Sequence, residues 1–343
     1  MNILITGTAG FIGFHLSKRL LDEGHTIVGV DQINDYYDIN LKLSRLKIKG
    51  VQPSNKSMLS KSTVYENYFF YKCNLEDRKT IFEIFEKHKI DAVCHLAAQA
   101  GVRYSLENPM AYINSNIIGF QNIIDAVKEN KIDNFCYASS SSVYGGIKEQ
   151  PFKESMSVDY PISLYAATKK ANELVAFNYS HLFGIQSTGL RFFTVYGPWG
   201  RPDMALFKFT KALFEDKPID VYNYGEMVRD FTYINDIVEG VVRVIKNPAP
   251  ISNSNPSNAP YRVYNIGNNN PVKLMDFIKA IEDEVGKKFK INLMEIQPGD
   301  VPSTYADVTN LSNDHDYKPN TSINEGISQF ISWYKQYYLN EIS

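Results

Sequence analysis

Short unbroken apolar runs alternate, through the first half of the chain, with longer stretches whose apolar side chains recur every three or four positions. Asn2–Thr6, Thr26–Val30, Tyr68–Tyr71, Ala92–Leu96 and Phe135–Ala138 are runs of the first kind, the pattern of strands buried on both faces. Between them Phe11–Glu23, Asp77–His88 and Met110–Asn130 carry the helical period, and a long helix is expected over Pro161–Phe183, followed by a strand at Gln186–Phe192. The alternation predicts the α/β class, with a doubly wound parallel sheet, right-handed crossovers and helices on both faces. Residues 50–63 (GVQPSNKSMLSKST) are polar and turn-rich and read as an exposed excursion. Beyond Phe192 the rhythm breaks, and turn-rich segments such as YGPWGRPDM and NPAPISNSNPSNAPY alternate with short elements. The expected organisation is a sheet domain over 1–190, with parts of 230–266 returning to it, and a smaller, less regular domain mainly over 191–343.

Composition narrows the partners. The chain has 343 residues, 44% hydrophobic and 22% charged, and a formal net charge of −2. That balance offers no global field to attract nucleic acid or an anionic membrane, so an anionic substrate would need local cations. No stretch approaches the ~20 apolar residues of a membrane span. Cys73, Cys94 and Cys136 are odd in number, lack metal-like spacing and sit in apolar segments, as expected of buried thiols in a reducing cytoplasm.

Two local patterns carry chemistry. In TGTAGFIG, directly after the first strand, Gly7 suits a tight turn, Gly10 a close approach of pyrophosphate to backbone, and Gly13 close helix–strand packing. Gly7, Gly10, Phe11, Ile12 and Gly13 are therefore the expected cofactor loop of a Rossmann-like domain. Asp31, closing the second strand, is placed to accept from a ribose 2′-hydroxyl and would repel a 2′-phosphate, which favours NAD over NADP. The second pattern is Tyr165-Ala-Ala-Thr-Lys169 at the start of the long helix. A spacing of four puts both side chains on one helical face, where an ammonium near the phenol favours phenolate and makes it a base. The fifth strand ends in four serines, Ser139 to Ser142, at the edge where doubly wound sheets bind ligands.

Glycine loop, strand-end serines followed by Val143-Tyr144-Gly145, and Tyr165 with Lys169 together resemble the extended short-chain dehydrogenase/reductase family. Within it, NDYYDINLK, LAAQAGVRYS, RFFTVYGPWGRPDMALFKF, VRDFTYINDI and QPGDVPSTYAD are most similar to the UDP-glucuronate 4-epimerases, over nearly the whole chain. The resemblance implies a catalytic set of Ser140, Tyr165 and Lys169. It puts Asp31 on the adenosine ribose, Asn74 and Leu75 near the adenine, and Ala97, Ala98 and Gln99 along the cofactor. It has Asn116 supporting the site and Lys169 also holding the nicotinamide ribose. For the substrate it implies Ser142, Thr194, Arg229 on the diphosphate and Asp300 on the uridine ribose. Gln297 stands where galactose epimerases usually carry a phosphate-binding arginine, and Thr304 where they can carry a bulky tyrosine, so a differently shaped pocket is expected.

The implied reaction inverts C4 of a UDP-sugar through a transient 4-keto form, with NAD retained; UDP-glucuronate to UDP-galacturonate is the first reading. A hexuronate oxidised at C4 is a β-keto acid, so its carboxylate must be restrained, and Arg201 is the first candidate with Thr194 and Arg103 assisting. Neutral UDP-glucose or UDP-N-acetylglucosamine remains the alternative substrate. Relatives that dehydrate carry an Asp-Glu pair where Ser141 and Ser142 stand, and uronate decarboxylases a glutamate at the latter, so elimination and decarboxylation rank below epimerisation. A non-catalytic NAD-binding protein is the rival of another class. Relatives pair the helices at 110–130 and 161–183 about a two-fold axis, so a homodimer is expected.

Overall fold

The computed structural model describes residues 1–54, 57–248 and 257–340. Its strands in chain order are β1 (Asn2–Thr6), β2 (Thr26–Asp31), β3 (Leu59–Lys61), β4 (Tyr68–Lys72), β5 (Ala92–His95), β6 (Asn134–Ser140), β7 (Gln186–Phe192), β8 (Thr194–Tyr196), β9 (Ile219–Val221), β10 (Val228–Tyr233), β11 (Tyr261–Ile266), β12 (Pro271–Lys273) and β13 (Ile291–Leu293). Eight form one sheet in the order β11-β7-β6-β5-β1-β2-β4-β3, parallel except for the edge strand β3. The α/β class and the parallel, doubly wound sheet are as the pattern predicted.

Alternation along β1 shows why the strands are apolar throughout. Ile3 and Ile5 pack in the same cluster as Leu16 and Leu20 of the Phe11–Asp22 helix, while Leu4 joins Ile84, Ile123 and Phe135 on the other face. The register aligns Thr6 with Val30 and His95, Ser140 with Phe192, and Phe192 with Ile266. Chemistry-bearing residues are thereby delivered to one carboxyl edge. Above it lie the three-stranded sheet β12-β10-β8 and the parallel pair β13-β9.

The structure differs from the pattern in three places. The single helix expected over Met110–Asn130 is broken into Pro109–Tyr112, a π-helical turn at Ile113–Ile118 and Gly119–Glu129. The wider turn carries Asn116 inward, where its side chain pairs with backbone. A helix at Ile39–Ile48 escapes the apolar period because its faces are mixed: Lys42 and Arg45 are buried beside Leu41 and Leu46, while Ile39, Leu43 and Ile48 are exposed. Finally, the 50–63 excursion contributes β3 to the sheet edge; residues 55 and 56 lie outside the described residues. Among the described residues no helix is long and apolar enough to cross a membrane.

Candidate active site

A cavity of about 1020 Å³ opens over the carboxyl edge of the sheet, at the large end of what a small-molecule site spans. Its lining takes in Gly7, Gly10, Phe11, Ile12, Gly13, Asp31, Leu75 and Ala97 to Gln99 on one side, and Ser140, Ser142, Tyr165 and Lys169 at the middle. Arg103, Thr194, Arg201, Arg229 and Asp300 line the remainder. Asn74 and Asn116 do not line it. Asn74 is exposed just beyond β4, and Asn116 is buried behind Gln99.

The glycine loop is cleared for close approach. Gly7 sits at φ +79, and a Cβ on Gly13 would lie 2.1 Å from the Gly7 carbonyl. The Phe11–Asp22 helix starts at Gly10 with no side-chain cap, so its first N–H groups point into the loop, as an anion-binding helix start requires. Asp31 accepts from Ala9 N at 3.0 Å and Ile33 N at 2.8 Å, which leaves carboxylate lone pairs for a diol. Beneath the loop, Arg45 donates to the Ala9 carbonyl at 2.9 Å and Lys49 to the Thr8 carbonyl at 2.9 Å; burial lowers the Lys49 ammonium to about 7. These residues fit a dinucleotide: open amides for its pyrophosphate and a carboxylate for its ribose.

Gln99 is set by Asn116, whose Oδ1 accepts from Gln99 N at 2.8 Å and whose Nδ2 donates to Gln99 O at 3.0 Å. Asn116 Nδ2 also reaches Thr168 Oγ1 at 3.1 Å, tying the cofactor side to the Leu164–Phe183 helix. That helix begins under a Ser163 cap on Ala166 N at 3.1 Å, so Tyr165 lies in its first turn, half-buried in the cavity. Burial raises the phenol; a hydrogen bond with Ser140 and the charge of Arg201 pull it back. Lys169 does not supply that offset. Its ammonium donates to the Ala138 carbonyl at 2.7 Å and is itself lowered by burial to about 8. Lys169 was expected to depress the phenol; the structure bonds its ammonium to the β6 backbone, with Ser140 and Arg201 as the groups that pull the phenol back. Ser140 Oγ donates to Ser142 Oγ at 3.1 Å and accepts from Ser142 N at 3.2 Å.

Sequence reasoning missed the layer beneath. Arg191 on β7 grips Glu173 through Nε at 2.8 Å and Nη2 at 2.9 Å, and Ser139 donates to Glu173 at 2.6 Å. Glu173 stands four residues after Lys169 on the same helical face, the one signal that could have found it.

The substrate-side residues are paired with one another. Arg103 donates to Asp300 at 2.7 Å and lies over the Tyr222 ring at 4.5 Å. Arg229 donates to the carbonyls of Val228 and Pro302, at 2.8 and 3.1 Å, and to Met227 Sδ at 3.8 Å, and burial lowers its affinity for the proton. Arg201 Nε donates to Asp203 Oδ1 at 3.0 Å, Nη2 reaches the other oxygen, and Tyr36 OH donates to that oxygen at 3.1 Å. The turn bearing them is held from below: His15 donates to Pro198 O at 2.9 Å and Arg45 to Trp199 O at 2.6 Å. Thr194 opens β8 beside Phe231. Neither Gln297 nor Thr304 lines the cavity; the Thr304 hydroxyl accepts from Asp230 N at 3.3 Å.

Comparison with known proteins matches residues 3–267 to the model of the NAD dependent epimerase/dehydratase family. Protein CapI of Staphylococcus aureus is 54% identical over 98% of this chain and 99% of its own length. A probable UDP-glucuronate 4-epimerase of Rhizobium meliloti (strain 1021) is 45% identical over 98% of each. Among solved structures, UDP-glucuronic acid 4-epimerase from Bacillus cereus, in complex with UDP-glucuronic acid and NAD, superposes with a TM-score of 0.87 at 32% identity, covering 98% of this chain and 100% of that one.

Proposed function

The chain belongs to the NAD dependent epimerase/dehydratase family, and from that premise we propose that it inverts C4 of UDP-glucuronate to give UDP-galacturonate. One observation carries the reading: a single cavity joins an open dinucleotide loop, a Ser140–Tyr165 acid–base pair and a wall of arginines suited to an anionic nucleotide sugar.

NAD, when bound along the glycine loop, supplies the hydride acceptor and redonor that makes inversion redox-neutral. The protein does the rest. Tyr165 takes the proton of the sugar 4-hydroxyl and returns it, acting as base and then as acid. Ser140 hydrogen-bonds the same oxygen and keeps the phenol aimed at it. Lys169, anchored on Ala138, holds the nicotinamide ribose and keeps a positive charge beside the site. Asp31 takes the adenosine ribose, with Leu75 against the adenine and Ala97, Ala98 and Gln99 along the dinucleotide. Arg229, from which no carboxylate accepts a hydrogen bond among the described residues, takes the diphosphate. Arg103 and Asp300 frame the uridine ribose as a pair, and Ser142 and Thr194 contact the sugar. Arg201 meets the C6 carboxylate and restrains the β-keto acid from losing carbon dioxide.

A homodimer is part of the reading. Met110, Leu174 and Leu182 are 58%, 58% and 59% exposed on the 110–130 and 161–183 helices, an apolar face that a second copy would cover. Light scattering on the purified protein reads this directly, and a monomer at micromolar concentration removes it.

Incubation with UDP-glucuronate and separation of the products tests the chemistry. UDP-galacturonate is the expected product; UDP-xylose or a pentose-4-ulose overturns the reading. Tyr165→Phe should lower kcat by about 10²–10⁴ without altering the circular dichroism. An undiminished rate would remove the phenol from the mechanism. Turnover of neutral UDP-glucose is the second reading, favoured by the fact that Arg201 is already charge-neutralised by Asp203.

A further inference from the structure

We propose that Asp203 is a specificity-determining residue, a resident carboxylate that competes with the acid group of the sugar for Arg201. The inference rests on the reading above, in which Arg201 receives the C6 carboxylate. Three observations lead to it.

First, the pair faces the cavity. Both residues line it, and their side chains keep 23% and 28% of their exposure, so the guanidinium and the carboxylate reach the same space as Tyr165. The Arg201 charge is one of the influences felt by the Tyr165 phenol, which places it near the reacting end of the pocket. Second, the pair is not needed to shape its turn. The carbonyls of Pro198, Trp199 and Gly200 are already held by His15 and Arg45, at 2.9, 2.6 and 3.3 Å. Arg201 and Asp203 are two residues apart, so their bond joins no distant segments. Third, Asp203 is kept ionised. The Arg201 guanidinium and the Tyr36 hydroxyl outweigh its burial and hold its carboxyl below the usual range. Tyr36, which also lines the cavity, lies under Arg201 at 5.9 Å, so an aromatic ring covers part of the cation.

The acid group of an arriving uronate therefore meets, in Arg201 with Asp203, a pair of net charge near zero. Its carboxylate must either displace Asp203 from Arg201 or share the guanidinium with a like charge at close range. A hydroxymethyl group at the same carbon makes no such demand. Asp203 consequently weakens the grip on the acid, selectively. A loose grip suits an inversion in which the oxidised sugar has to turn over between the two hydride transfers, carrying its carboxylate from one position to another.

The test uses the enzyme as purified with its NAD. KM is measured for UDP-glucuronate and UDP-glucose in the wild type, Asp203→Asn and Asp203→Glu, and dissociation constants for both sugars are measured in the Tyr165→Phe background, where turnover does not intervene. Asp203→Asn should shift the ratio of the two constants toward the acid by about tenfold, and Asp203→Glu, which restores the charge, should bring the ratio back. An unchanged ratio, a shift toward the neutral sugar, or a glutamate variant that behaves like the asparagine one overturns the proposal. Failure of the wild type to bind or convert UDP-glucuronate strikes the sugar assignment instead, and is seen before any variant is made.

Discussion

Of the arginines that hold carboxylates in this molecule, Arg191 lies under the floor of the cavity and Arg201 on its wall, and solvent makes the two different devices. Arg191 and Glu173 retain 4% and 5% of their side-chain exposure; Arg201 and Asp203 retain 23% and 28%. Under the floor, the pair is closed off by Ser139 and by Tyr144, whose hydroxyl accepts from Arg191 at 3.0 Å. With both carboxylate oxygens and all three guanidinium nitrogens engaged and almost no solvent exposure, its charges are not offered to a ligand, and it clamps the Leu164–Phe183 helix to β6 and β7. On the wall, the same two functional groups face open space, and their mutual bond can be exchanged for a bond to ligand. Burial, rather than residue type, separates structure from site.

The comparison breaks or sharpens at four points. The largest effect expected is from Glu173→Gln, which leaves the Arg191 charge buried and unbalanced and should cost about 3–5 kcal/mol of stability in denaturant unfolding. A loss below about 1 kcal/mol would mean that water reaches the floor.

Acid should act on the floor next. His95, buried beside β1 and bonded to Thr6 Oγ1 at 2.9 Å, is lowered from 6.5 to about 3 by burial and then by the Lys169 charge. Its folded form refuses a proton that the unfolded form accepts near 6.5, so this stabilisation is complete above that pH and declines as pH falls toward the folded value. Between pH 6.5 and 4 the decline should be about 3 kcal/mol, and a His95→Asn variant should show a flatter profile in urea titrations at each pH.

Ser139→Ala removes one hydrogen bond to the buried carboxylate, and a loss of about 2 kcal/mol is expected in the same unfolding assay. Smallest of all is Asp203→Asn, for which thermal unfolding should register less than about 1 kcal/mol while the sugar preference moves. Equal losses from the floor and wall variants would erase the distinction drawn here.

Much of the site could be read from the chain because its logic is local. The glycine loop depends on φ and on clearance within seven residues, and Tyr165 and Lys169 meet through helical spacing alone. Other parts could not. Ile39–Ile48 turns Lys42 and Arg45 inward with Leu41 and Leu46 and leaves Ile39, Leu43 and Ile48 outside, so apolar residues fall on both faces and no single stripe marks it. Arg45 acquires meaning only when folding brings Ala9 and Trp199 to either side of it. The 110–130 segment has a helical period, yet the demand of Gln99 for Asn116 opens a π-turn inside it. Lys169 follows Tyr165 by one helical turn, but its commitment to the Ala138 carbonyl belongs to β6.

The sequence by itself determined the strands, the glycine loop, the one-turn spacing of Tyr165 and Lys169 and the family, since each is written in spacings of a few residues. Only the tertiary structure decided which charges are engaged across the chain: Glu173 with Arg191, Asp300 with Arg103, and Asp203 with Tyr36. The reason is physical. A charge is defined by what remains near it after water has been removed, and that neighbourhood is assembled from segments far apart in the chain.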